Sequence, residues 1–383
     1  MDILQVVPAF SPACGGTATA AFQLSKKLSE RGNHVTIATT DFRLDEEYRQ
    51  SITEKGVEVI PFHCAANISS FLFSPSMKRW LNARIAEFDI IHLHDFRSYQ
   101  NYLVHSFAKR YQIPYVLQPD NSLPRVIAKK KLKWLYDIFF GFSILRDLDA
   151  FVAISEEELR FAQSFGISEK STHLVYLGID DNVYFGNPPA YGGFREKHHV
   201  RGRMILYLGR LHKSKGIDIV VQAFSRISKR QEDAVLVVAG SDDGYQAELE
   251  KLISELGINN KVLITGYVDE LDKVRAYVDA DLFVHAVRYM GGVGFTPLEA
   301  IKCGTPVIVT KECGEVIQKA NCGCFVKYGD IDDLADKMIF LLSNPEESSK
   351  MVERGRHYIE QNLSWDSIAQ YIEKLYENCI CHA

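Results

Sequence analysis

At 383 residues the chain is too long for one ordinary hydrophobic core, so two domains are expected. The formal net charge of −5 disfavours a general nucleic-acid-binding protein, for which an excess of basic residues is expected. No uninterrupted apolar run approaches the roughly 20 residues that a membrane-spanning helix needs, which predicts a soluble protein.

The N-terminus and the cysteines indicate the compartment. Met1 leads directly into a strand-like run without the basic leader of a signal peptide, so a cytoplasmic protein is expected. The eight cysteines include two C-x-C pairs, Cys322/Cys324 and Cys379/Cys381, which lack the ligand spacing typical of a zinc site. We therefore predict free thiols in a reducing compartment and no metal ion.

The first half opens with a strand, a glycine loop, a helix and a second strand. The apolar run Ile3–Pro8 predicts a buried parallel strand, Gly15-Gly16 lies in the next loop, and His34–Thr39 returns to a strand pattern. This order predicts a doubly wound α/β sheet. The G-x-G-x-x-G pattern is absent, which disfavours a nicotinamide-dependent oxidoreductase. The glycine pair is either a tight turn or part of a ligand site at the carboxyl end of the strand.

Two later strands of the first half end in polar residues. Phe88–Leu93 runs into His94, and Tyr115–Gln118 is followed by Asp120. His92 and His94 point to the same side of their strand, so a metal-binding pair is conceivable. The favoured interpretation is that one of them is packed and the other faces the ligand cleft.

The stretch Pro124–Leu148 places basic residues ahead of a dense aromatic cluster. Such a helix can lie on an anionic membrane surface, and an ordinary packed helix with a solvated basic end is the alternative. The basic residues are Arg125, Lys129, Lys130, Lys131 and Lys133, and the aromatic residues are Trp134, Tyr136, Phe139, Phe140 and Phe142.

A second series of strands and helices follows a linker predicted at residues 187–203, which is proline- and glycine-rich, polar and aperiodic. The strand Met204–Gly209 leads into a basic loop with Arg210 and Lys215 before the next helix. Cations at a helix start predict an anion site, and a solvated run of charges is the alternative. The chain ends in an amphipathic helix, residues 364–383, which we expect to pack back on the first domain.

The segment Ala286–Gly304 carries glycines between a buried strand and a short helix. Thr296 and Glu299 match a capping box, with Pro297 at the first helical position and Gly304 as the stop. Glycines before a helix start allow close approach of a ligand, so the pattern predicts a phosphate at Gly294–Thr296. Alternatively, Glu299 only closes the capping box.

Taken together, these motifs resemble those of the retaining glycosyltransferases of family 4. The matching runs are GRLHKSKG at 209–216, GGVGFTPLEA at 291–300, CGTPVIVT at 303–310, ERGNHVTIAT at 30–39, FVAISE at 151–156 and YLGID at 176–180. The resemblance implies an α/β protein with the GT-B fold: two Rossmann-like, doubly wound domains that face each other across a cleft. Residues 1–186 with the C-terminal helix would bind the acceptor, and residues 204–363 would bind a nucleotide-sugar donor.

The resemblance also implies roles for single residues. Arg210 and Lys215 match the pair that neutralises the donor diphosphate, so neither a metal nor a cofactor is expected besides a UDP- or GDP-linked sugar. Glu299 matches the carboxylate that binds the donor ribose. The other expected donor-binding positions are Gly15, Gly16, Gly209, Val268, Gly292, Gly294, Phe295 and Thr296.

Two positions depart from the family pattern. Gly291 replaces a glutamate eight positions before Glu299, and Asp120 stands where the family usually has a histidine. Either the sugar is held differently, or His94 and Asp120 share the role of binding and orienting it, or activity is weak or absent.

The sequence therefore predicts a retaining, metal-independent glycosyltransferase that transfers a sugar to a saccharide or lipid-linked acceptor in glycan, polysaccharide or glycolipid biosynthesis. It is expected in the cytoplasm, with peripheral contact to the inner face of the cell membrane as a hypothesis. The alternative is a catalytically weak or inactive nucleotide-sugar-binding partner of another glycosyltransferase.

Overall fold

The computed structural model describes residues 1–11, 16–44, 46–68, 71–125, 130–179, 189–287, 294–311 and 314–382. The chain divides into two compact units, Met1–Gly178 with Trp365–Ala383 as the first and Ile179–Ser364 as the second. None of the helices in these ranges has the length and apolar character needed to cross a membrane.

The first unit is built on a parallel sheet of seven strands, as far as the structure describes it, in the order β3-β2-β1-β6-β7-β8-β9. β4 and β5 form a separate antiparallel hairpin. β1 is central and buried on both faces, which explains its continuous apolar sequence. The strands are β1 (Asp2–Ala9), β2 (His34–Thr40), β3 (Val57–Phe62), β4 (Ala66–Ile68), β5 (Phe71–Phe73), β6 (Ile90–His94), β7 (Tyr115–Gln118), β8 (Ala150–Ala153) and β9 (Thr172–Leu174).

Helices connect these strands and cover the sheet, as expected for a doubly wound fold. The segment Lys130–Arg146 is helical throughout, with one π-helical stretch at Asp137–Gly141. The helices are α1 (Gly16–Glu30), α2 (Glu46–Thr53), α3 (Ser76–Arg84), α4 (Tyr99–Tyr111), α5 (Lys130–Tyr136), α6 (Phe142–Arg146) and α7 (Glu156–Ser164).

The second unit repeats the pattern with a parallel sheet in the order β12-β11-β10-β13-β14-β15. Its strands are β10 (Arg203–Leu208), β11 (Ala234–Ala239), β12 (Val262–Gly266), β13 (Leu282–His285), β14 (Val307–Thr310) and β15 (Cys324–Val326). Its helices are α8 (Gly193–Lys197), α9 (Ile217–Ile227), α10 (Gln246–Glu255), α11 (Glu270–Asp279), α12 (Phe295–Cys303), α13 (Glu315–Ala320), α14 (Ile331–Ser343) and α15 (Pro345–Asn362). The two doubly wound sheets confirm the predicted fold class.

The C-terminal helix α16 (Trp365–His382) belongs to the first unit, as predicted. Ile372 and Tyr376 on its apolar face are buried, and the helix packs against α1. The carboxylate of Glu373 pairs with Arg31 at 2.6 Å and accepts a hydrogen bond from Asn33 at 2.6 Å. Apolar burial and this polar anchor together fix a helix that is distant in sequence from its neighbours.

The range predicted as a linker is in part folded into the second unit. Helix α8 lies within it, and the side chain of Phe194 is fully buried. The carboxylate of Asp279, at the end of α11, accepts hydrogen bonds from the backbone amides of Gly192, Phe194 and Arg195. The cap comes from a residue far along the chain, so the local composition did not reveal this helix.

Gly240, at the end of β11, allows a close approach that positions the loop after β10. Its φ is +142°, and a Cβ at this position would overlap the carbonyl oxygen of Gly209. Gly244 also has a positive φ of +83° but faces open space. The two glycines therefore separate the effect of backbone strain from the effect of steric overlap.

We expect Gly244→Ala to cost about 1 kcal/mol through strain alone. Gly240→Ala should cost a further 1–3 kcal/mol, roughly, because the added methyl group overlaps the backbone. Calorimetric thermal unfolding of the two variants checks this difference. Equal unfolding midpoints for both variants would contradict the close approach of Gly240 to the carbonyl oxygen of Gly209.

Candidate functional site

In the second unit the strand order reverses between the neighbouring strands β10 and β13. The loops at the carboxyl ends of these strands diverge at such a point, and open α/β sheets bind ligands there. The loop after β10 contains Gly209, Arg210 and Lys215, and Gly294 immediately precedes α12, which follows β13. The sheet topology thus brings together the two segments that the sequence motifs singled out.

Gly216 holds the loop after β10 against the end of β13. Its φ is +65°, and a Cβ at this position would overlap the carbonyl oxygen of Ala286. Lys215 is half-buried and lies near enough to His285 for its positive charge to affect that side chain. Arg210 is exposed, and its guanidinium lies 2.6 Å from the carboxylate of Asp243. Arg210 and Lys215 therefore lie in one short loop after β10, together with the exposed Lys213.

His285, the last residue of β13, was not identified from the sequence. It is buried, and burial together with the charge of Lys215 lowers its pKa to about 3. Its Nδ1 lies 3.4 Å from the hydroxyl of Thr296, and a Cβ at Gly294 would lie 3.8 Å from its Nε2. A polar residue at the end of a buried strand, just before a glycine loop, is the signal that could have indicated it.

The predicted capping box at the start of α12 is wrong. The helix begins at Phe295 with Gly294 as its N-cap, so Pro297 is not the first helical residue. The Thr296 hydroxyl lies beside His285 instead. Gly294 has no side chain and therefore cannot itself cap the first amides of α12, and amides at a helix start favour an anion. Gly304, with a φ of +100°, ends the helix as predicted.

Glu299 is buried and held by two residues of α11. One carboxylate oxygen accepts a hydrogen bond from the Tyr277 hydroxyl at 2.9 Å, and the other lies 3.1 Å from the Lys273 ammonium. Burial, followed by the charge of Glu299, raises the pKa of Tyr277 well above its usual value. Neither Tyr277 nor Lys273 was identified from the sequence, because a helix pattern does not show which residues of another helix lie opposite.

In the first unit the structure brings His94 and Asp120 together, with His94 Nδ1 3.3 Å from the Asp120 carboxylate. His92 and His94 stack with ring centroids 4.6 Å apart. Both rings are fully buried, so the interpretation that only one of them is packed is wrong. Within the described residues no three His, Cys, Asp or Glu side chains are placed to hold a metal ion.

Two further carboxyl groups lie close to this pair. Burial and the charge of Asp120 raise the pKa of Asp95 to about 7. Burial raises the pKa of Glu158 to about 8, although its carboxylate accepts hydrogen bonds from the amides of Ile154 and Asn121. Backbone strain accumulates here too, since Asp95, Asp120 and Asn121 all have positive φ. Strained residues and raised carboxyl pKa values often mark functional sites.

The remaining predicted positions are placed as follows. Gly16 begins α1, and Val268 is half-buried in the turn after β12. Gly15 and Gly292, together with Gly291, lie outside the described residues.

Solved structures share this two-unit architecture. HepE of Anabaena, in complex with UDP, superimposes with a TM-score of 0.82 at 18% sequence identity, covering 99% of this chain and 100% of that chain. At this identity the likeness defines the fold class, which is the GT-B fold of glycosyltransferases.

Family comparisons are more specific. Glycosyltransferase Family 4 matches residues 14–183, and Glycosyl transferases group 1 matches residues 194–358. The chain therefore belongs to the group 1, family 4 glycosyltransferases, which confirms the resemblance of its motifs.

Two curated relatives match about half of the chain or somewhat more. Mannosylfructose-phosphate synthase of Agrobacterium fabrum is 30% identical over 245 residues, which are 61% of this chain and 54% of that enzyme. A GDP-mannose-dependent alpha-(1-6)-phosphatidylinositol monomannoside mannosyltransferase of Mycolicibacterium smegmatis is 29% identical over 215 residues, 54% of this chain and 56% of the relative. The chain thus spans about half of the length of these two relatives.

The low pKa of His285 predicts how the free energy of unfolding changes as the pH falls. At a pKa of about 3 the folded protein keeps this ring neutral, whereas the unfolded chain takes up a proton below its usual value of 6.5. Stability should therefore fall by about 2 kcal/mol between pH 7 and pH 5 through this residue. His285→Gln cannot take up the proton, so its urea-unfolding free energy should fall less over the same interval. The exposed His212→Gln is the matched control, and equal losses in both variants would contradict the assignment.

Proposed function

We propose that the chain is a retaining, metal-independent glycosyltransferase that transfers a hexosyl group from a nucleoside-diphosphate sugar to a saccharide or lipid-linked acceptor. The product would belong to a glycan, polysaccharide or glycolipid. The observation that carries the proposal is the approach of the Arg210–Gly216 loop to the end of β13, where His285 lies between Lys215 and Thr296 at the start of α12. Family membership supports the same conclusion.

The donor diphosphate is assigned to the second unit. Arg210 and Lys215 supply two positive charges, and the amides of Phe295 and Thr296 supply hydrogen-bond donors at a helix start. Positive charge at this position would stabilise the negative charge that develops on the leaving diphosphate. These groups take the part that a metal ion plays in other phosphate-transferring sites.

Glu299 is assigned to the ribose hydroxyls of the donor. Among the described residues, its two oxygens each have one side-chain partner, Tyr277 or Lys273. A carboxylate offers about four acceptor positions, so capacity for hydroxyl donors remains. Tyr277 and Lys273 would keep the carboxylate ionised and oriented while the nucleotide binds.

The first unit is assigned to the acceptor and the transferred sugar. His94 and Asp120 lie at the carboxyl ends of neighbouring strands, the edge at which α/β sheets bind ligands. Because the His94 ring is fully buried, it would act on the sugar through Asp120. In a retaining transfer the diphosphate leaves on the face that the acceptor enters. A phosphate oxygen then takes the proton of the attacking hydroxyl while the new glycosidic bond forms.

The donor base is one of two candidates. UDP is bound in the Anabaena structure, and GDP-mannose serves the mycobacterial relative. A thermal-shift panel of UDP- and GDP-linked sugars separates them, because a bound ligand raises the melting point by linkage.

A partner subunit without its own turnover is the alternative function. Gly291 and Asp120 favour it, because both depart from the family pattern. The retained cations favour the enzyme, since a scaffold has no need of a diphosphate site. Transfer or donor hydrolysis by the purified chain alone would exclude the alternative.

Attachment to the inner face of the cell membrane is part of the proposal. Leu135, Ile138, Phe139 and Phe142 follow one helical face of Lys130–Arg146 and are exposed, Phe139 to 65%. Exposed lysines, Lys130 and Lys131, lie at the start of the same helix. Large apolar side chains with adjacent cations match an anionic lipid surface.

The opposite face of this helix explains why the apolar face points outward. Asp137 is fully buried and pairs with Arg97 at 2.7 Å and with Arg125 at 2.6 Å. The ion pairs of Asp137 with Arg97 and Arg125 hold the helix by its polar side, so its apolar side chains are left facing the solvent.

We expect the double variant Arg210→Ala/Lys215→Ala to lose at least about a hundredfold in kcat, because it removes the charge that stabilises the leaving group. Lys213→Ala, in the same loop and exposed beside Glu248, is the matched control and should stay close to the unsubstituted rate. Steady-state kinetics with the donor identified by thermal shift gives the measurement. Unchanged turnover in the double variant would refute the diphosphate assignment.

Phe139→Ser should lower binding to vesicles that contain anionic lipid by about tenfold, because a large apolar side chain no longer enters the lipid surface. Phe340→Ser, an exposed phenylalanine of α14, is the control and should bind normally. Flotation at low and high salt measures both effects. A chain that fails to float with anionic vesicles at low salt would end the membrane proposal.

A further inference from the structure

A chain of buried polar side chains joins the C-terminal helix α16 to Asp120. Tyr376, Gln5, His92 and His94 are all fully buried. The Tyr376 hydroxyl oxygen lies 3.2 Å from Gln5 Nε2 and 2.6 Å from His92 Nδ1. Gln5 Oε1 lies 2.7 Å from His94 Nε2, and His94 Nδ1 lies 3.3 Å from Asp120 Oδ2.

The side-chain amide of Gln5 sets the direction of these hydrogen bonds, because its nitrogen only donates and its oxygen only accepts. The nitrogen donates to the Tyr376 hydroxyl, which also lies within hydrogen-bond distance of Nδ1 of His92. The oxygen accepts from Nε2 of His94, so that nitrogen carries a proton. His94 therefore presents Nδ1, its one variable protonation site, to Asp120.

Nδ1 of His94 and the Asp120 carboxylate form a hydrogen bond only when one proton lies between them, because both atoms are acceptors without it. The amide of Gln118 also donates to Asp120, at 2.8 Å, and orients the carboxylate. The other titratable groups around the pair, among the described residues, are His92, Asp95, Glu158 and Tyr376.

We propose that Gln5 and Tyr376 are positioning residues that hold His94 in the tautomer with Nε2 protonated and so keep one proton shared between His94 and Asp120. The inference rests on the proposed role of His94 and Asp120 at the acceptor site. It gives the C-terminal helix a part in that site through Tyr376. The number of protons that His94 and Asp120 carry together when the acceptor binds would then depend on Gln5 and Tyr376.

Tyr376→Phe tests the framework, because phenylalanine lacks the hydroxyl that lies between Gln5 and His92. In histidine-labelled full-length protein, ¹⁵N NMR should show the His94 ring in the tautomer with Nε2 protonated. In the variant the ratio of Nε2-protonated to Nδ1-protonated His94 should fall at least about threefold, because the acceptor of Nε2–H is no longer held in place. The value of kcat/KM for the acceptor should fall with that ratio, while the donor KM stays unchanged.

Tyr371→Phe is the matched control. Tyr371 lies on the same helix, half-exposed, with its hydroxyl 2.8 Å from His173 Nδ1. Its loss should leave the His94 tautomer ratio unchanged. Gln5→Met keeps the side-chain length but removes both amide hydrogen bonds, so it should reproduce the change in tautomer ratio of Tyr376→Phe.

Two results would overturn the inference. One is protonation of His94 at Nδ1 instead of Nε2 in the unsubstituted chain, which needs no variant to fold. The other is an equal change in the His94 tautomer ratio in Tyr376→Phe and Tyr371→Phe. The NMR readout does not depend on turnover, so an inactive chain with the expected tautomer contradicts the proposed function and not the positioning of His94.

Discussion

The close approach of the loop after β10 to the end of β13 is the constraint on which the candidate donor site depends. Gly216 makes it possible, because its positive φ and missing Cβ let the backbone lie against the Ala286 carbonyl. The same approach sets the charge of Lys215 beside His285, and Gly294 also lies near that ring. The Lys215–Gly216 segment and the start of α12, which are distant in sequence, are thus brought together around His285.

Much of the fold could be predicted from the sequence, because buried parallel strands appear as continuous apolar runs with helical patterns between them. The errors came from residues whose partners lie far along the chain. Glu299 matched a capping box, but Tyr277 and Lys273 hold its carboxylate. Residues before β10 looked like a linker, but Asp279 caps a helix there. In both cases a tertiary contact outcompeted a local pattern.

The candidate sites were predictable to a similar extent. His94 and Asp120 follow adjacent strands, and the carboxyl ends of parallel strands meet at one edge, so their proximity follows from topology. Asp95 and Glu158 gave no comparable signal, since their environment is set by burial rather than by spacing. The link from Gln5 to Tyr376 spans 371 positions, and no pattern within one element could indicate it.

The chain leaves the first unit after Gly178 and returns to it at Trp365, whose indole packs directly on Gly178. The second unit is therefore inserted into the first. During synthesis the ribosome must complete the whole insert before it releases α16, the helix that covers Gln5 and His92. Until then Gln5 and His92 lack the helix that covers them, so the first unit cannot complete its fold before the second unit has been synthesised.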